Sequence, residues 1–514
     1  MPMPMPSPPK KKRRIDVPET FHEDNHSDVI SLGINESLFY NQDALVSEND
    51  PAKDKQSKRY KSSDQPLKEW TALVRDEYLV ELLRCEGRGS TQCGKCHHCH
   101  SQEEESFICE DCFSMQVLCK SCTLEGHIEQ PLHRIKRWNG KCYANTSLKD
   151  IGFRVQLGHP SGIPCPCPTS VTDFVVFHIN GLHIVALDFC TCDRVVDYSL
   201  PQQQLLRRQW FPATFDQPQT CATFSMLDHF QMSTLQAKVT MYDYYAALEK
   251  LADNSGVGTP RSRYKEFVRM HWEFRHLTSL KRGGRAHDPA GILATKNGEL
   301  TVRCPTCPRP GINLPENWQS APQEKRYLYT LFLALNACFR LKRRMISSVE
   351  KDPGLGVDWG YFVESEPFRQ YLLSVTDQKE MSTCSGLAAL DYANTKFSRG
   401  YAATGVCLGV CSRHEIVQQN GAADLQVGER YANMDYCFAS LLRHHGGGLE
   451  MVVSYDIVCQ WSKLVIQRVK KLPPLVRFCI AQHMIQFAVP KLHIHSHTKH
   501  CQENYSLNYL PGVG

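Results

Sequence analysis

Between residues 96 and 133 the chain places three Cys-x-x-Cys pairs in succession and closes them with two histidines: Cys96/Cys99, Cys109/Cys112, Cys119/Cys122, then His127 and His133. Zinc takes four soft or borderline ligands in a tetrahedron, and a Cys-x-x-Cys turn delivers two sulfurs to one ion. Eight ligands make two complete zinc sites, with Cys93 able to replace a member of the first pair. A segment bound in this way should lose its fold when a chelator removes the metal. Because protein fills all four positions of each ion, neither zinc can activate a substrate, and the cluster predicts a binding module. The 24 cysteines of the chain follow no apolar leader. They therefore read as metal ligands in a reducing compartment rather than as disulfides.

Other cysteines and histidines leave alternatives open. Cys190-x-Cys192 ends the second strand of an expected hairpin, near Cys165, Cys167 and His159. Either His159, Cys165, Cys190 and Cys192 hold a third zinc, or these are ordinary free cysteines. Cys304-x-x-Cys307 has no obvious partner pair, and its flanking prolines suit a turn. His493, His495, His497 and His500 beside Cys501 fit either a metal site or a strand with one exposed face. Arg413-His414 could contact a phosphate or support a core. Arg261, Arg263, Lys265, Arg269, Arg275, Lys281, Arg282 and Arg285 interleave with Tyr264, Trp272 and Phe274. Such a stretch is either a phosphate-tracking face or a solvated helix surface. Asp391, Asp424 and Asp435 read as caps and ion pairs rather than as ligands.

With 514 residues the chain exceeds what one core can hold, so two or three domains are expected. Apolar residues make up 42% and charged residues 22%, proportions of a soluble globular protein, and no apolar run is long enough to span a bilayer. Lys10, Lys11, Lys12, Arg13 and Arg14 cannot pack together; they are either a solvated basic tail or a segment suited to the acidic groove of a nuclear import receptor, and the second reading gives the expectation of a nuclear protein. The net charge of +5 permits nucleic-acid binding without arguing for it.

Residues 1–66 form a basic tail with few apolar positions and are expected to be disordered. Trp70, Leu73, Val74, Tyr78 and Leu82 recur at helical spacing and predict one amphipathic helix. Residues 174–179 and 182–189 are β-formers flanking Asn180-Gly181, a strong hairpin signal. From 224 to 280 the pattern is helical, with Leu235, Val239, Tyr242, Tyr245 and Leu248 on one face, and a second helix carrying Phe267, Trp272 and Phe274. Residues 283–325 read as a Gly- and Pro-rich linker. After 326 an α/β pattern follows, with buried strands expected at 327–339 and 451–458.

Three cysteine pairs closing on a histidine pair resemble a ZZ-type or B-box-type cross-brace. That resemblance implies Cys96, Cys99, Cys119 and Cys122 on one zinc and Cys109, Cys112, His127 and His133 on the other. A wider resemblance starts with His127, Pro131, His133, Arg134, Ile135, Trp138 and Asn139-Gly140. It continues through Leu157-Gly158-His159, Trp210-Phe211-Pro212-Ala213-Thr214, Cys304-Pro305-Thr306-Cys307-Pro308 and Leu314-Pro315-Glu316-Asn317-Trp318. Ser385-Gly386-Leu387-Ala388 within 383–396, Gly428-Glu429-Arg430-Tyr431, Asn433-Met434-Asp435-Tyr436 and Tyr455-Asp456-Ile457 complete it. By these motifs the chain resembles the Kyakuja–Dileera–Zisupton (KDZ) transposases with their associated cysteine-cluster domain.

The resemblance implies an RNase H-like core with three carboxylates holding two Mg²⁺ or Mn²⁺ ions about 4 Å apart to cut and transfer DNA at transposon ends. Where the family reads Asp-Ala-Asn-Phe-Arg-Leu-Lys, this chain has Asn336-Ala337-Cys338-Phe339-Arg340-Leu341-Lys342. The second acid matches Asp456. The third is a Glu following a Leu-Pro-Gly motif, which here is Leu510-Pro511-Gly512 at the end of the sequence. The expectation is an α+β multidomain protein. It would comprise a basic tail (1–66), a cysteine-cluster zinc domain that includes the β-hairpin (67–215), a helical region and linker (216–325), and an incomplete, C-terminally truncated RNase H-like α/β core (326–514). Its function is that of a transposase inactivated at Asn336, or of a nuclear zinc-dependent module that binds DNA or chromatin proteins without catalysis.

Overall fold

The computed structural model describes residues 66–87, 95–192, 200–255, 261–345, 348, 350, 354–375, 400–426, 428–446, 448–477 and 484–513. The basic run 10–14, Cys93, and the 383–396 block with Asp391 lie outside the described residues. The chain divides into two units, 1–84 and 85–514. At the end of the first, the expected single helix is two, Pro66–Leu73 and Arg75–Glu86. Val74 between them keeps its hydrogen bonds to Trp70 O and from Tyr78 N, so the break is local. Neither helix buries a residue; its apolar side chains are exposed.

The second unit opens with a small antiparallel sheet, β1 (Phe107–Cys109), β2 (Ile135–Trp138) and β3 (Tyr143–Thr146), in order 1-2-3. Its apolar core is little more than Phe107, Cys109, Ile135, Leu148 and Ile151. So few buried side chains, at about 1.5–3 kcal/mol each, leave a fold of this kind dependent on other cross-links.

A second sheet follows, with β4 (Val155–Gln156), β5 (Pro168–His178), β6 (Gly181–Cys190), β7 (Trp210–Pro212) and β8 (Thr220–Thr223) in order 4-6-5-8-7. β5 and β6 are the hairpin announced by Asn180-Gly181. Alternation along β5 buries both faces: Phe174 and Val176 meet Leu157, Leu205 and Trp210, while Val175 and Phe177 meet Met226, Phe230, Tyr245 and Phe267. The expected domain boundary after 215 falls inside this sheet, because β8 pairs with both β7 and β5. The helical stretch beyond it is three helices, Phe224–Ala237, Met241–Ala252 and Tyr264–Arg282. Lys238 in the left-handed conformation ends the first, and the Thr240 side chain caps the second. Leu235 and Tyr242 are consequently exposed rather than on the buried face with Tyr245 and Leu248.

The third sheet comprises β9 (Leu331–Cys338), β12 (Gly405–Cys411), β13 (Val417–Leu425), β14 (Glu450–Ser454) and β15 (Met484–Ala488), in order 13-12-9-14-15. A short ribbon of β10 (Arg343–Arg344) and β11 (Tyr401–Ala403) lies between β9 and β12 in sequence. β9, β12 and β13 form an antiparallel meander, and β14 and β15 continue it in parallel with β9. Two expected strands are shorter than the apolar runs suggest: 323–329 is a 3₁₀ segment and Val458–Trp461 is helical. One face of the sheet carries Leu331, Leu333, Leu335, Met451 and Val453 against the helix Tyr431–Leu442, which is buried from Ala432 onward. The other carries Phe332, Val452 and Ala488 beneath Leu507, Leu510 and Val513. The His-rich stretch is not a strand: His493 and His500 lie on the short helices Lys491–Ile494 and Lys499–Asn504, and His495 and His497 in the turn between them. No described helix is long and apolar enough to cross a membrane.

Candidate metal centres

In the small module the ligand atoms of Cys96, Cys99, Cys119 and Cys122 lie within 4.8 Å of one another, as do those of Cys109, Cys112, His127 and His133. The first and third pairs thus share one cluster, and the second and fourth the other. Cys119 caps the helix Lys120–Gly126 and starts the turn that carries Cys122. In the second cluster His133 Nδ1 is 3.4 Å from both Cys109 Sγ and Cys112 Sγ, and His127 Nε2 is 3.6 Å from Cys112 Sγ. A tetrahedral zinc holds sulfur and nitrogen about 3.5 Å apart, so the donors match. His127 Nδ1 lies 2.7 Å from the Thr123 carbonyl, a bond that fixes the ring and turns Nε2 towards the sulfurs. Burial pushes the Cys109 thiol up to about 12.

The module is tied to the hairpin through Asp111. Although burial raises its carboxyl, hydrogen bonds from the Arg134 side chain and backbone prevail and hold it below the usual range. Asn180 of the hairpin turn donates to Asp111 Oδ2 (3.1 Å) and to Leu132 O (3.0 Å). The residue that signals the turn in the sequence therefore also docks the cysteine module.

A third cluster joins His159, Cys165, Cys190 and Cys192, the latter two at the end of β6. His159 Nε2 lies 3.2 Å from Cys190 Sγ and 3.3 Å from Cys192 Sγ, and Cys165 Sγ lies 3.5 Å from Cys190 Sγ. Cys167 is exposed and outside the group. The Gln204 side chain clamps the Cys190 backbone from both sides, accepting from its N–H and donating to its carbonyl. Asp188, hydrogen-bonded first by Arg154 and also by Ser170 and Gln156, is held down to about 2 and fixes the strand beside the cysteines.

At the other end of the chain, β14 is in register with β9 so that Ser454 faces Ala334. Asn336 lies two residues further along β9, and Asp456 lies two residues further on in the turn that follows β14. Asn336 is exposed, and its Oδ1 accepts the Ala337 N–H at 2.8 Å. Burial raises the Asp456 carboxyl, and the charges of His493 and His497 oppose that rise. Glu429 also belongs to this surrounding. Burial, reinforced by the negative charge of Asp456 and opposed by a 2.5 Å hydrogen bond from Tyr455, pushes it up to about 7. Sequence reasoning placed Glu429 only within a motif, because nothing in its local pattern shows which strand end it faces. Beside Asp456, Cys459, His497 and Cys501 bring three ligand atoms within 4.8 Å, with Cys459 Sγ 3.5 Å from His497 Nδ1.

The remaining candidates take supporting places. Arg413 donates to Tyr327 O and lies over the Phe332 ring. Arg285 is buried between Asp288 and Glu299, and Arg269 reaches Ala213 O. Asp424 pairs with Arg343, and Asp435 with Arg468. Cys304 and Cys307 are buried rather than in an open linker.

Residues 329–514 match the family model of the Kyakuja-Dileera-Zisupton transposase, and residues 148–256 match that of the CxC2-like cysteine cluster associated with KDZ transposases. Asn336 and Asp456 fall in the first stretch and the His159/Cys165/Cys190/Cys192 group in the second, whereas the 96–133 module precedes both. Neither a curated protein nor a solved structure matches the chain.

Proposed function

Since the chain belongs to the KDZ transposases and carries their associated cysteine cluster, we propose that it is a nuclear, DNA-binding protein whose 326–514 region is an RNase H-like core with a compromised two-cation site. The strand order, an antiparallel meander continued by two parallel strands, supports that core. The observation that carries the reading is the parallel pairing of β9 with β14, which sets Asn336 near the end of β9 and Asp456 in the turn just past the end of β14. Asp456, with Glu429 nearby, would hold a hard cation, which would polarise a phosphate oxygen when bound. The second ion needs a carboxylate on β9. Asn336 offers one neutral oxygen there, already engaged by Ala337 N–H, so the donor set does not fit a two-cation site. Such a loss costs on the order of several kcal/mol of transition-state stabilisation, or orders of magnitude in rate.

The three Cys/His clusters in the 95–192 region hold zinc in this reading, each closed by four protein ligands and therefore structural. They present a surface for DNA or a chromatin protein, and the engaged Asn336 amide favours a binding role over a catalytic one. Nicking of supercoiled DNA bearing the element's ends in Mg²⁺ or Mn²⁺ tests this. The chain as given should not cleave, and Asn336→Asp should bind Mn²⁺ more tightly by calorimetry. Cleavage by the unaltered chain would show that the site is intact.

A further inference from the structure

Cys304-x-x-Cys307 has no partner in sequence, and it lies outside both family-matched stretches. The fold supplies partners from a hundred residues away. β12 ends at Cys411, and the chain turns back into β13 through a tight loop closed by Glu415 N–H to Cys411 O (2.8 Å) and Cys411 N–H to Ile416 O (2.9 Å). The loop folds His414 onto the cysteines, with Nδ1 3.4 Å from Cys411 Sγ and 3.6 Å from Cys304 Sγ. The sulfurs of Cys304, Cys307 and Cys411, all buried, lie within 4.8 Å of one another. Zinc with Zn–S near 2.3 Å and Zn–N near 2.0–2.1 Å sets sulfur and nitrogen about 3.5 Å apart. Both S···N separations fall at that value. The knuckle is also held independently of any ion: Asn313 donates to Cys307 O (2.9 Å) and Pro305 O (3.1 Å) and accepts from Arg309 N–H (2.7 Å).

We propose that Cys304, Cys307, Cys411 and His414 bind one zinc ion that fastens the 283–325 segment to the turn between β12 and β13. The Thr306 hydroxyl lies 2.9 Å from His414 Nδ1 and 3.3 Å from Cys304 Sγ, where it could donate to a zinc-bound thiolate. The role is structural. Four protein ligands leave no open position, and Cys411 pairs with Leu333, three residues along β9 from Asn336 and so about 10 Å from the candidate carboxylate site. Arg413 in the same turn donates to Tyr327 O and lies 4.0 Å from the Phe332 ring centroid. Fixing the turn therefore fixes the entry of the chain into β9. This inference stands whether or not the protein cuts DNA.

The test is the zinc content of the purified full chain by mass spectrometry. Cys304→Ser/Cys307→Ser should carry one zinc fewer than the unaltered chain, His414→Ala should lose the same equivalent under mild chelation, and His414→Cys should retain it. Unchanged content in the double variant would overturn the proposal. Should that variant not fold, alkylation of the unaltered chain decides. Labelling of Cys304, Cys307 and Cys411 that rises on adding a chelator supports the site. Labelling indifferent to chelator, or requiring a reductant, refutes it.

Discussion

Arg468→Met should loosen the support of the candidate carboxylate site more than any surface change could. Asp435, fully buried in the helix Tyr431–Leu442, accepts Trp461 Nε1 (2.8 Å) and, from Arg468, Nε (2.6 Å) and one terminal guanidinium nitrogen (3.1 Å). That same guanidinium donates to Trp461 O (2.8 Å) and stands 4.9 Å from the Tyr431 ring centroid. It thereby joins the helix that follows Glu429 to the segment that follows Asp456. Methionine fills similar volume but leaves Asp435 with the indole N–H alone. Removing one partner of a buried ion pair costs about 3–5 kcal/mol. At about 1.4 kcal/mol per tenfold, that is two to three and a half orders of magnitude in the opening equilibrium of this helix. The pH dependence fixes the cause. Burial raises the Asp435 carboxyl and Arg468 opposes that rise, so the variant's carboxyl titrates higher still. A group raised in the folded state is least costly below its unfolded value and most costly above its folded one, so the deficit should grow from pH 5 to pH 8. Hydrogen exchange of the 431–442 amides reads both effects, and Asp435→Asn in the variant background should recover part of the loss. A deficit below about 1 kcal/mol at pH 8, or one equal at both pH values, would refute the reasoning.

Three further outcomes can be measured. A strong chelator at neutral pH should open the 95–151 region to limited proteolysis, because its five-residue core cannot hold it without metal; resistance in fully demetallated protein would remove the zinc dependence. Gly158→Ala should lower zinc content by about one equivalent. Gly158 has φ +76°, and its new Cβ would collide with Cys190 Cβ; normal content with an unshifted fold would contradict the cluster. Glu429→Gln should stabilise the metal-free chain at pH 8 by on the order of 2–3 kcal/mol and leave it unchanged near pH 4. The reason is that the carboxyl pushed up to about 7 contributes stability below its unfolded value of 4.5 and loses it as pH rises through 7. A less stable glutamine variant at pH 8, by thermal denaturation, would show that the charge is compensated.

What the sequence determined by itself is what lies close along the chain. Cys-x-x-Cys turns, the Asn180-Gly181 hairpin and the apolar alternation of 174–177 specify local geometry, and the structure has them where the residues require. Where several local solutions competed, sequence was less decisive. A β-former run at 455–458 left the strand instead, turning at Asp456 and Ile457 into the helix Val458–Trp461, and the helical pattern near 238 broke at Lys238, whose left-handed conformation no apolar period announces. The family motifs carried the placement of Asn336 and Asp456 as a pair, but only the parallel pairing of β9 with β14 puts their segments at the same end of the sheet. Tertiary structure alone decided the rest. Glu429 comes near enough to Asp456 to feel its charge, as Asp456 feels those of His493 and His497, and Cys304-x-x-Cys307 finds Cys411 and His414. Each of these depends on which strand lies next to which and on which end of the sheet a loop returns to. Those choices are made by the summed burial of a whole core such as Leu333, Tyr436, Phe438 and Trp461, and no single stretch of sequence contains that sum.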